Sequence, residues 1–159
     1  MDVFQAIASK RDVRAYAATP IPPDVEARIL DAGRLAGSAR NKQEWQFVVV
    51  ADKDSLAQVV YAQENVRTAA LVIAVAGARG FDAGRCAQNM MLAAWNEGVV
   101  SCPNGIADAD AAEKIVGAEV GIILSFGYPA KPRDPESRTA DEWSARANRK
   151  PLDELVRRI

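Results

Sequence analysis

The stretch Gly37-Ser38-Ala39-Arg40-Asn41-Lys42-Gln43-Glu44-Trp45 decides our fold assignment, because it is a polar segment between two hydrophobic elements. It follows a helical pattern and precedes an apolar run over residues 47–51, so it lies where a helix leads into a core strand. Loops in such positions often carry function. Asn41 and Gln43 each offer a donor and an acceptor on one planar group, which suits the edge of a flat heterocycle. An ordinary turn is the alternative interpretation.

The sequence of 159 residues contains no histidine. This absence removes the commonest general base near neutral pH and the commonest imidazole metal ligand. A Ser-His-Asp triad, a Cys-His pair and a His-based zinc site are therefore excluded. We expect no catalytic side chain and no metal site, and we expect any difficult chemistry to belong to a bound organic cofactor.

Composition predicts one globular domain over residues 1–159, because 49% of the residues are hydrophobic and 26% are charged. The net charge of −1 argues against nucleic acid as a partner. The apolar run over residues 69–76 is much shorter than the roughly 20 residues that cross a bilayer, so we expect no membrane association. Cys86 and Cys102 form neither a CxxC pair nor a disulfide framework, and no signal segment is visible, which predicts a reduced, cytoplasmic protein.

Hydrophobic periodicity predicts an alternation of helices and short buried strands. Helices are expected over residues 2–9, over 23–36 and near 56–61. A long helix is expected from an Asp82 N-cap through Trp95, and a short one from an Asp110–Glu113 capping box through Val116. Strands are expected over residues 45–51, 70–77 and 120–126. Gly98 is expected to end the long helix, and Pro103-Asn104-Gly105 is predicted to be a turn. Residues 130–159 are predicted to form an extended C-terminal tail that ends in one short helix.

Two basic clusters could supply cations for a phosphate group. Lys10, Arg11 and Arg14 lie near one end of the chain, and Arg149 with Lys150 lies near the other. Each cluster taken alone is more often a solvated surface.

Five motifs in order resemble the FMN-dependent nitroreductase family, from about Val3 to Leu155. Lys10-Arg11-Asp12-Val13-Arg14-Ala15-Tyr16 is similar to its opening Arg-Arg-Ser-x-Arg-x-Phe, and the segment from Gly37 to Trp45 is similar to its Pro-Ser-x-x-Asn-x-Gln-Pro-Trp loop. The central helix with Asp82, Gly84, Gln88 and Asn89, and the closing Gly127-Tyr128-Pro129 and Arg149-Lys150-Pro151-Leu152, resemble the remaining signatures.

The resemblance implies an α+β fold with a mixed, mainly antiparallel sheet flanked by helices, in an intertwined homodimer with two FMN sites. It implies that Lys10, Arg11 and Arg149 hold the phosphate and that Arg14 lies near N1 and the C2 carbonyl of the ring. The implied cofactor-binding set is Lys10, Arg11, Asp12, Arg14, Gly37, Ser38, Ala39, Asn41, Gln43, Pro103, Asn104, Gly105 and Arg149. Of these, residues 37–43 are implied to come from the partner subunit, and residues 103–105 to offer backbone groups near N5.

The sequence departs from the family pattern at several of these positions. Asp12 stands where serine is usual, and a carboxylate about 4 Å from a phosphate would cost roughly 4 kcal/mol at an effective dielectric constant of 20. We therefore expect the Asp12 side chain to turn away or pair with an arginine, and its backbone to face the cofactor. Lys10 keeps the charge of the usual arginine without its planar geometry. Gly37 and Glu44 replace two prolines, which loosens the loop unless other contacts compensate. Only residues 78–81 join the second strand to the long helix, so we expect no cover over the flavin.

The leading hypothesis is an FMN-dependent NAD(P)H oxidoreductase that reduces nitroaromatics, quinones or similar flat electrophiles by ping-pong hydride transfer. One alternative is an FMN-binding storage or sensor module without efficient turnover, and another is a flavin-free protein that keeps the fold for a partner interaction. The sequence does not choose between NADH and NADPH, or between FMN and a related deazaflavin.

Overall fold

The computed structural model of the chain describes residues 1–78 and 80–159, which form two compact units. The core unit is Arg11–Arg133, and the terminal unit combines Met1–Lys10 with Asp134–Ile159. Among the described residues, no helix combines the length and the apolar character needed to span a bilayer.

The core unit contains the sheet and five of the helices found in the described part of the chain. Its helices are α2 Pro23–Arg34, α3 Lys53–Ala57, α4 Gln63–Arg67, α5 Gly80–Asn96 and α6 Ala109–Val116. Its strands are β1 Gln46–Val49, β2 Leu71–Ala76, β3 Val100–Asn104 and β4 Val120–Gly127. A 3-10 turn covers Ala39–Asn41. The terminal unit contains α1 Val3–Ser9, α7 Ala140–Arg146 and α8 Leu152–Leu155.

The four strands form one sheet in the order β1-β2-β4-β3, and every neighbouring pair is antiparallel. A parallel bridge between Asp12 and Ser101 adds a short extended segment beside β3. This arrangement confirms the predicted α+β fold with a mixed, mainly antiparallel sheet.

Two hydrophobic cores cover the two faces of the sheet. On one face, Ile73 and Val75 of β2 pack with Met90 of α5 and Ile29 of α2. On the other face, alternate β2 residues pack with side chains of α3, α4 and α6. β2 is buried along its whole length, so both faces of the sheet are covered at its centre.

The region around Pro103 differs from the sequence prediction. The segment Pro103-Asn104-Gly105, predicted as a turn, enters the end of β3, where Pro103 pairs with Leu124 and Asn104 with Ile123. Proline is compatible with an edge strand whose outward position requires no ladder N–H. The prediction failed because Pro and Gly are strong turn signals and the pairing partner lies about twenty residues away in the sequence.

Two predicted helix caps are also wrong. Asp82 lies inside the first turn of α5 and is not its N-cap. The N-cap of α6 is Asp108, whose side chain accepts a hydrogen bond from the Ala111 N–H, so the predicted Asp110–Glu113 box is displaced by two residues. The predicted end of α5 is confirmed, because Gly98 follows it with a left-handed φ of 74°.

The terminal unit is held together by side-chain hydrogen bonds from α1 and α7 to the segment before α7. Gln5 Nε2 donates to the carbonyls of Pro135 (2.6 Å) and Arg138 (2.7 Å). Trp143 Nε1 donates to the Pro135 carbonyl at 2.8 Å. Helix α7, which begins with a Thr139–Glu142 capping box, was not predicted, while the short terminal helix was.

Candidate functional site

The first candidate cluster lies along the outer edge of β3. Asp12 forms a parallel bridge with Ser101, and the Val13 N–H donates to the Ser101 carbonyl at 3.1 Å. Because the two segments run in the same direction, Arg11 is nearer the start of β3 and Arg14 comes level with Pro103. The side chain of Arg14 is exposed, and so is that of Asp12. The structure thus aligns residues 11–14 with the strand that leads to Gly105.

The end of β3 is fixed from inside the protein. Asn104 is only 1% exposed. Its Nδ2 lies 3.2 Å from the Cys102 carbonyl, 3.3 Å from the Ile123 carbonyl and 3.2 Å from Ser125 Oγ. The Asn104 side chain is therefore fully engaged in the core, and only the backbone of this segment can face a ligand.

Asn104 belongs to a chain of buried polar groups. Asn65 Nδ2 donates to Asn104 Oδ1 at 2.6 Å, and Tyr16 Oη lies 2.8 Å from Ser125 Oγ. Burial raises the pKa of Tyr16 to about 12, although the hydrogen bond with Ser125 acts in the opposite direction. Tyr16 is therefore a neutral phenol at physiological pH. We call these four residues, Tyr16, Asn65, Asn104 and Ser125, the polar chain.

The second candidate cluster is the loop over residues 37–45, before β1. Ser38 Oγ accepts a hydrogen bond from the Gln43 N–H at 2.9 Å, so Ser38 shapes the loop. Asn41 and Gln43 have positive φ angles of 55° and 52°, and their side chains are exposed. Left-handed backbone is uncommon for a glutamine, and such conformations cluster at functional sites. Ala39 is also exposed.

Arg85 of α5 supports this loop. A Cβ at Gly37 would overlap the Arg85 guanidinium, so the guanidinium fills the space beside the glycine. The same guanidinium lies over the ring of Phe81, with its Cζ 5.3 Å from the ring centroid. Gly37 in place of proline is expected to make the loop more flexible, and the packing of the Arg85 guanidinium against Gly37 offsets this effect. Sequence reasoning missed Arg85 because nothing local marks its contact with Gly37.

The two clusters lie at opposite edges of the sheet in one chain. The loop leads into β1 at one edge, while residues 11–14 and 103–105 follow β3 at the other edge. Strand register places the start of β1 and the end of β3 at the same end of the sheet. Three strand spacings separate them by about 14 Å, so one chain does not bring these two clusters together.

The remaining predicted residues belong to the terminal unit. Lys10 is half-buried and caps α1, with its N–H donating to the Ala6 carbonyl. Arg149 is exposed and lies beyond the end of α7.

Three other expectations concern side chains near the candidate clusters. Cys86 and Cys102 are buried free thiols, and burial raises the pKa of the Cys86 thiol, as expected for core cysteines. Trp45 and Trp95 are buried, as expected for core residues. Of the connection over residues 78–81, Arg79 lies outside the described residues.

Comparisons with known proteins give the family. The profile of the Nitroreductase family matches residues 7–80 and 58–128. A provisionally assigned NADH dehydrogenase/NAD(P)H nitroreductase of Archaeoglobus fulgidus is 25% identical over 154 residues, which cover 84% of this chain and 88% of that protein.

Solved structures agree on the fold. A nitroreductase family protein from Clostridium difficile has a TM-score of 0.80 at 23% identity, covering 99% of this chain and 98% of the other. An NADPH:FMN oxidoreductase from Vibrio harveyi, solved with NAD+, has a TM-score of 0.80 at 23% identity, covering 97% of this chain and 75% of the other. Since the family profile spans most of the sequence and the architecture agrees with these structures, the chain belongs to the nitroreductase family.

Proposed function

We propose that this protein is an FMN-dependent NAD(P)H oxidoreductase that reduces flat electrophilic acceptors, such as nitroaromatics or quinones, by ping-pong hydride transfer. As a member of the nitroreductase family, the chain is an oxidoreductase of the flavin-dependent type. The finer assignment rests on the residues at the edge of β3.

The observation that carries the proposal is the parallel alignment of residues 11–14 with β3. Asp12 is level with Ser101, and the four steps from Ser101 to Gly105 span about 13 Å along a strand. An extended mononucleotide fits this length, with its phosphate near Arg11 and its ring near Arg14 and Gly105. This order is the one that the family resemblance implies.

Each group along this edge suits the part of FMN that it would meet. Arg11, with Lys10 and Arg149, would supply charge-assisted hydrogen bonds to the phosphate. The exposed guanidinium of Arg14 would stabilise the negative charge that reduced flavin carries at N1 and O2. The backbone of Pro103 to Gly105 would approach the ring at N5, where glycine allows close contact. The backbone of Asp12 makes the bridge with Ser101. We do not propose its carboxylate as a phosphate ligand, because a second negative charge beside a phosphate is unfavourable.

The bound flavin would accept a hydride from NAD(P)H and pass reducing equivalents to the acceptor. The chain would bind and orient the ring and place positive charge beside it, with no side chain serving as an obligatory acid or base. This division of roles agrees with a sequence that contains no histidine.

We propose that the working protein is a homodimer in which residues 37–43 of one subunit complete the site of the other. The separation of about 14 Å between the loop and the β3 edge supports this, because one chain leaves each cluster incomplete. Exposed apolar side chains on the terminal unit, including Phe4 (68% exposed) and Leu155 (64% exposed), give a surface for such an association. A single domain over residues 1–159, with residues 130–159 as its tail, stays a prediction, as does a cytoplasmic location.

The test is a visible spectrum of the purified protein, before and after addition of FMN, followed by anaerobic NADH and then NADPH. We expect bound FMN whose visible absorbance bleaches with one or both donors as the flavin is reduced. Arg14→Ala should weaken FMN binding and slow reduction, because it removes the cation beside N1. The matched control is Arg28→Ala, since Arg28 is an exposed arginine of α2 that pairs only with Glu97 in the described structure.

Each other outcome supports a different function. Bound FMN that neither nicotinamide reduces faster than free FMN would favour a storage or sensor module. Uptake of a deazaflavin in preference to FMN would correct the cofactor. A protein that takes up no flavin would overturn the proposal and leave a fold kept for partner binding.

A further inference from the structure

The side chains of the polar chain have no role in the function proposed above, although its four residues come from four separate segments of the core unit. Tyr16 precedes the first helix of that unit, Asn65 lies in α4, Asn104 ends β3 and Ser125 lies in β4. Asn65, Asn104 and Ser125 are each less than 5% exposed, at 4%, 1% and 0%. Burying these groups costs free energy unless each polar atom has a partner.

The hydrogen bonds converge on Asn104. Its Oδ1 accepts from Asn65, and its Nδ2 reaches Ser125 Oγ and the carbonyls of Cys102 and Ile123. Ser125 Oγ in turn lies 2.8 Å from Tyr16 Oη and 3.2 Å from the Cys102 carbonyl. Asn104 is thus tied to its own strand, to β4 and to α4.

The arrangement is not optimal for stability alone. Asn65 Oδ1 is buried and has no hydrogen-bond donor among the described residues. An unsatisfied buried acceptor costs about 1–3 kcal/mol, and such a group in a native protein calls for an explanation. An apolar residue of similar size at position 65 would avoid that cost, but it would also leave Asn104 Oδ1 without its donor.

We propose that Asn104 is a positioning residue that fixes the backbone of Pro103 to Gly105 at the edge where the flavin ring binds, and that Asn65, Ser125 and Tyr16 act through it. The proposal rests on the flavin site proposed above. Edge strands fray because one side of their ladder is open, and on the side away from β4 the described residues place only the short Asp12 segment beside β3. An inward anchor at the last residue of β3 prevents this motion where a ligand needs a fixed surface.

The outer side of the same segment is left accessible. Gly105 is exposed, and its carbonyl accepts a hydrogen bond from the Tyr61 N–H at 3.0 Å. A Cβ at Gly105 would lie 3.1 Å from the Tyr61 ring. The Asn104 side chain therefore fixes the end of β3 from the core, and the Tyr61 ring limits the space on its outer side. The backbone at Gly105 is still exposed and accessible to a ligand.

Ser125→Ala is the principal test, because it removes the hydroxyl that links Tyr16 to Asn104 with little change in volume. Ile73→Val is the control, since Ile73 is fully buried in β2 and belongs to neither the polar chain nor the β3 edge. Its cost of about 0.5–1.5 kcal/mol gives a comparable loss of stability. Asn104→Ala is a second, stronger variant, and Ser125→Thr restores a hydroxyl.

Three measurements separate positioning from stability. They are hydrogen–deuterium exchange of the peptide over residues 100–108 in the apoprotein, the Kd for FMN, and the midpoint potential of bound FMN. For Ser125→Ala we expect faster exchange confined to that peptide, an FMN Kd raised about fivefold and a changed potential. Ser125→Thr should recover at least part of each effect, and Ile73→Val should change only the unfolding temperature.

Ser125→Ala could instead show the same exchange rates, FMN Kd and midpoint potential as the wild type, with only a lower unfolding temperature. That result would overturn the proposal and leave the polar chain as a structural network. If the wild-type protein itself binds no FMN, the proposed function fails, and the positioning role fails with it. Normal FMN binding by the wild type and by Ser125→Ala would overturn only the positioning role.

Discussion

The Tyr16 side chain packs against the sheet, and this burial changes the pKa of its phenol. Its ring packs against Gly127, where an added Cβ would lie 2.8 Å from a ring carbon, and its hydroxyl reaches Ser125. Burial raises its pKa from 10.0 to about 12. The folded protein therefore keeps the phenol proton to a higher pH than the unfolded chain does.

This difference predicts a specific loss of stability in alkali. Above pH 10 the unfolded chain releases the Tyr16 proton while the folded protein retains it, so the free energy of unfolding falls as pH rises from 10 to about 12. The full contribution is present below pH 10, and the loss reaches about 3 kcal/mol at most. Urea unfolding at several alkaline pH values should show a shallower decline for Tyr16→Phe than for the wild type. Parallel declines would contradict a raised pKa at Tyr16.

Arg85 is the residue that compensates for the glycine at position 37. If its guanidinium holds the loop, Arg85→Ala should raise the FMN Kd about three- to tenfold, which corresponds to about 0.7–1.4 kcal/mol. Titration of the apoprotein with FMN measures this effect. Arg28→Ala, on the adjoining helix, should leave the Kd unchanged. Equal affinities for the wild type and Arg85→Ala would mean that the loop keeps its shape without the guanidinium.

At the level of elements, the predictions from sequence succeeded where the signal was local. The buried strands β2 and β4 and the long helix α5 were recognisable because their apolar residues repeat with the right period. The edge strand β3 was missed because Pro103 and Gly105 resemble a turn, and its pairing with β4 is not encoded nearby. The polar chain escaped for a related reason, since Asn65 and Ser125 meet Asn104 only in the folded sheet. Residues 10–14 and 37–43 were proposed as site residues from ordered motifs and not from periodicity, and their role in binding stays a prediction.

Helix α7 allows a test of a local capping signal. Thr139 Oγ1 accepts from the Glu142 N–H, and the Glu142 carboxylate accepts from the Thr139 N–H at 2.8 Å. Thr139→Ala should destabilise the terminal unit by about 0.5–2 kcal/mol. The hydrogen bonds from Thr139 lower the pKa of Glu142, so the stabilisation is present at neutral pH and is lost as pH falls through that lowered value. Helical circular dichroism should therefore decline less steeply in acid for Glu142→Gln, which removes the titrating carboxylate, whereas Thr139→Ala keeps the backbone N–H that lowers the pKa of Glu142 most. An unchanged acid profile for Glu142→Gln would contradict this role of the box.

Two glycines of the core unit predict opposite effects of the same substitution. A Cβ at Gly121 would overlap the Ala78 carbonyl, a backbone atom that cannot rotate away, so Gly121→Ala should destabilise the protein by about 1–3 kcal/mol. A Cβ at Gly84, in α5, would meet nothing within 4 Å, so Gly84→Ala should stabilise it by up to about 1 kcal/mol. Denaturant unfolding compares the two variants directly. An unchanged or raised stability of Gly121→Ala would contradict the packing around Gly121, and a lowered stability of Gly84→Ala would contradict the open space around Gly84.

At the level of the whole molecule, the sheet organises what one chain can and cannot do. Its two faces are covered by helices, so ligand-accessible backbone remains at the edges. The cations of residues 11–14 lie at one edge and the amides of residues 41–43 at the other, and the separation is fixed by four paired strands. Under the proposed function, chemistry that needs both groups at one ring would use a second copy of the chain.

This requirement predicts that dimerisation and FMN binding are lost together. Phe4→Asp and Leu155→Asp place a charge on exposed apolar positions of the terminal unit, where the second copy is proposed to bind. Burying an unpaired carboxylate in an interface is strongly unfavourable, so both variants should sediment as monomers at concentrations where the wild type is a dimer. Their FMN content should fall in proportion to the monomer fraction, because each site would lack the partner's loop.

Ile115→Asp, on the exposed side of α6, is the control and should leave the dimer fraction and the FMN content unchanged. A monomeric wild type with one tightly bound FMN per chain would contradict this prediction. It would show that the loop of residues 37–43 is not shared between subunits and that one chain holds FMN without a partner's loop.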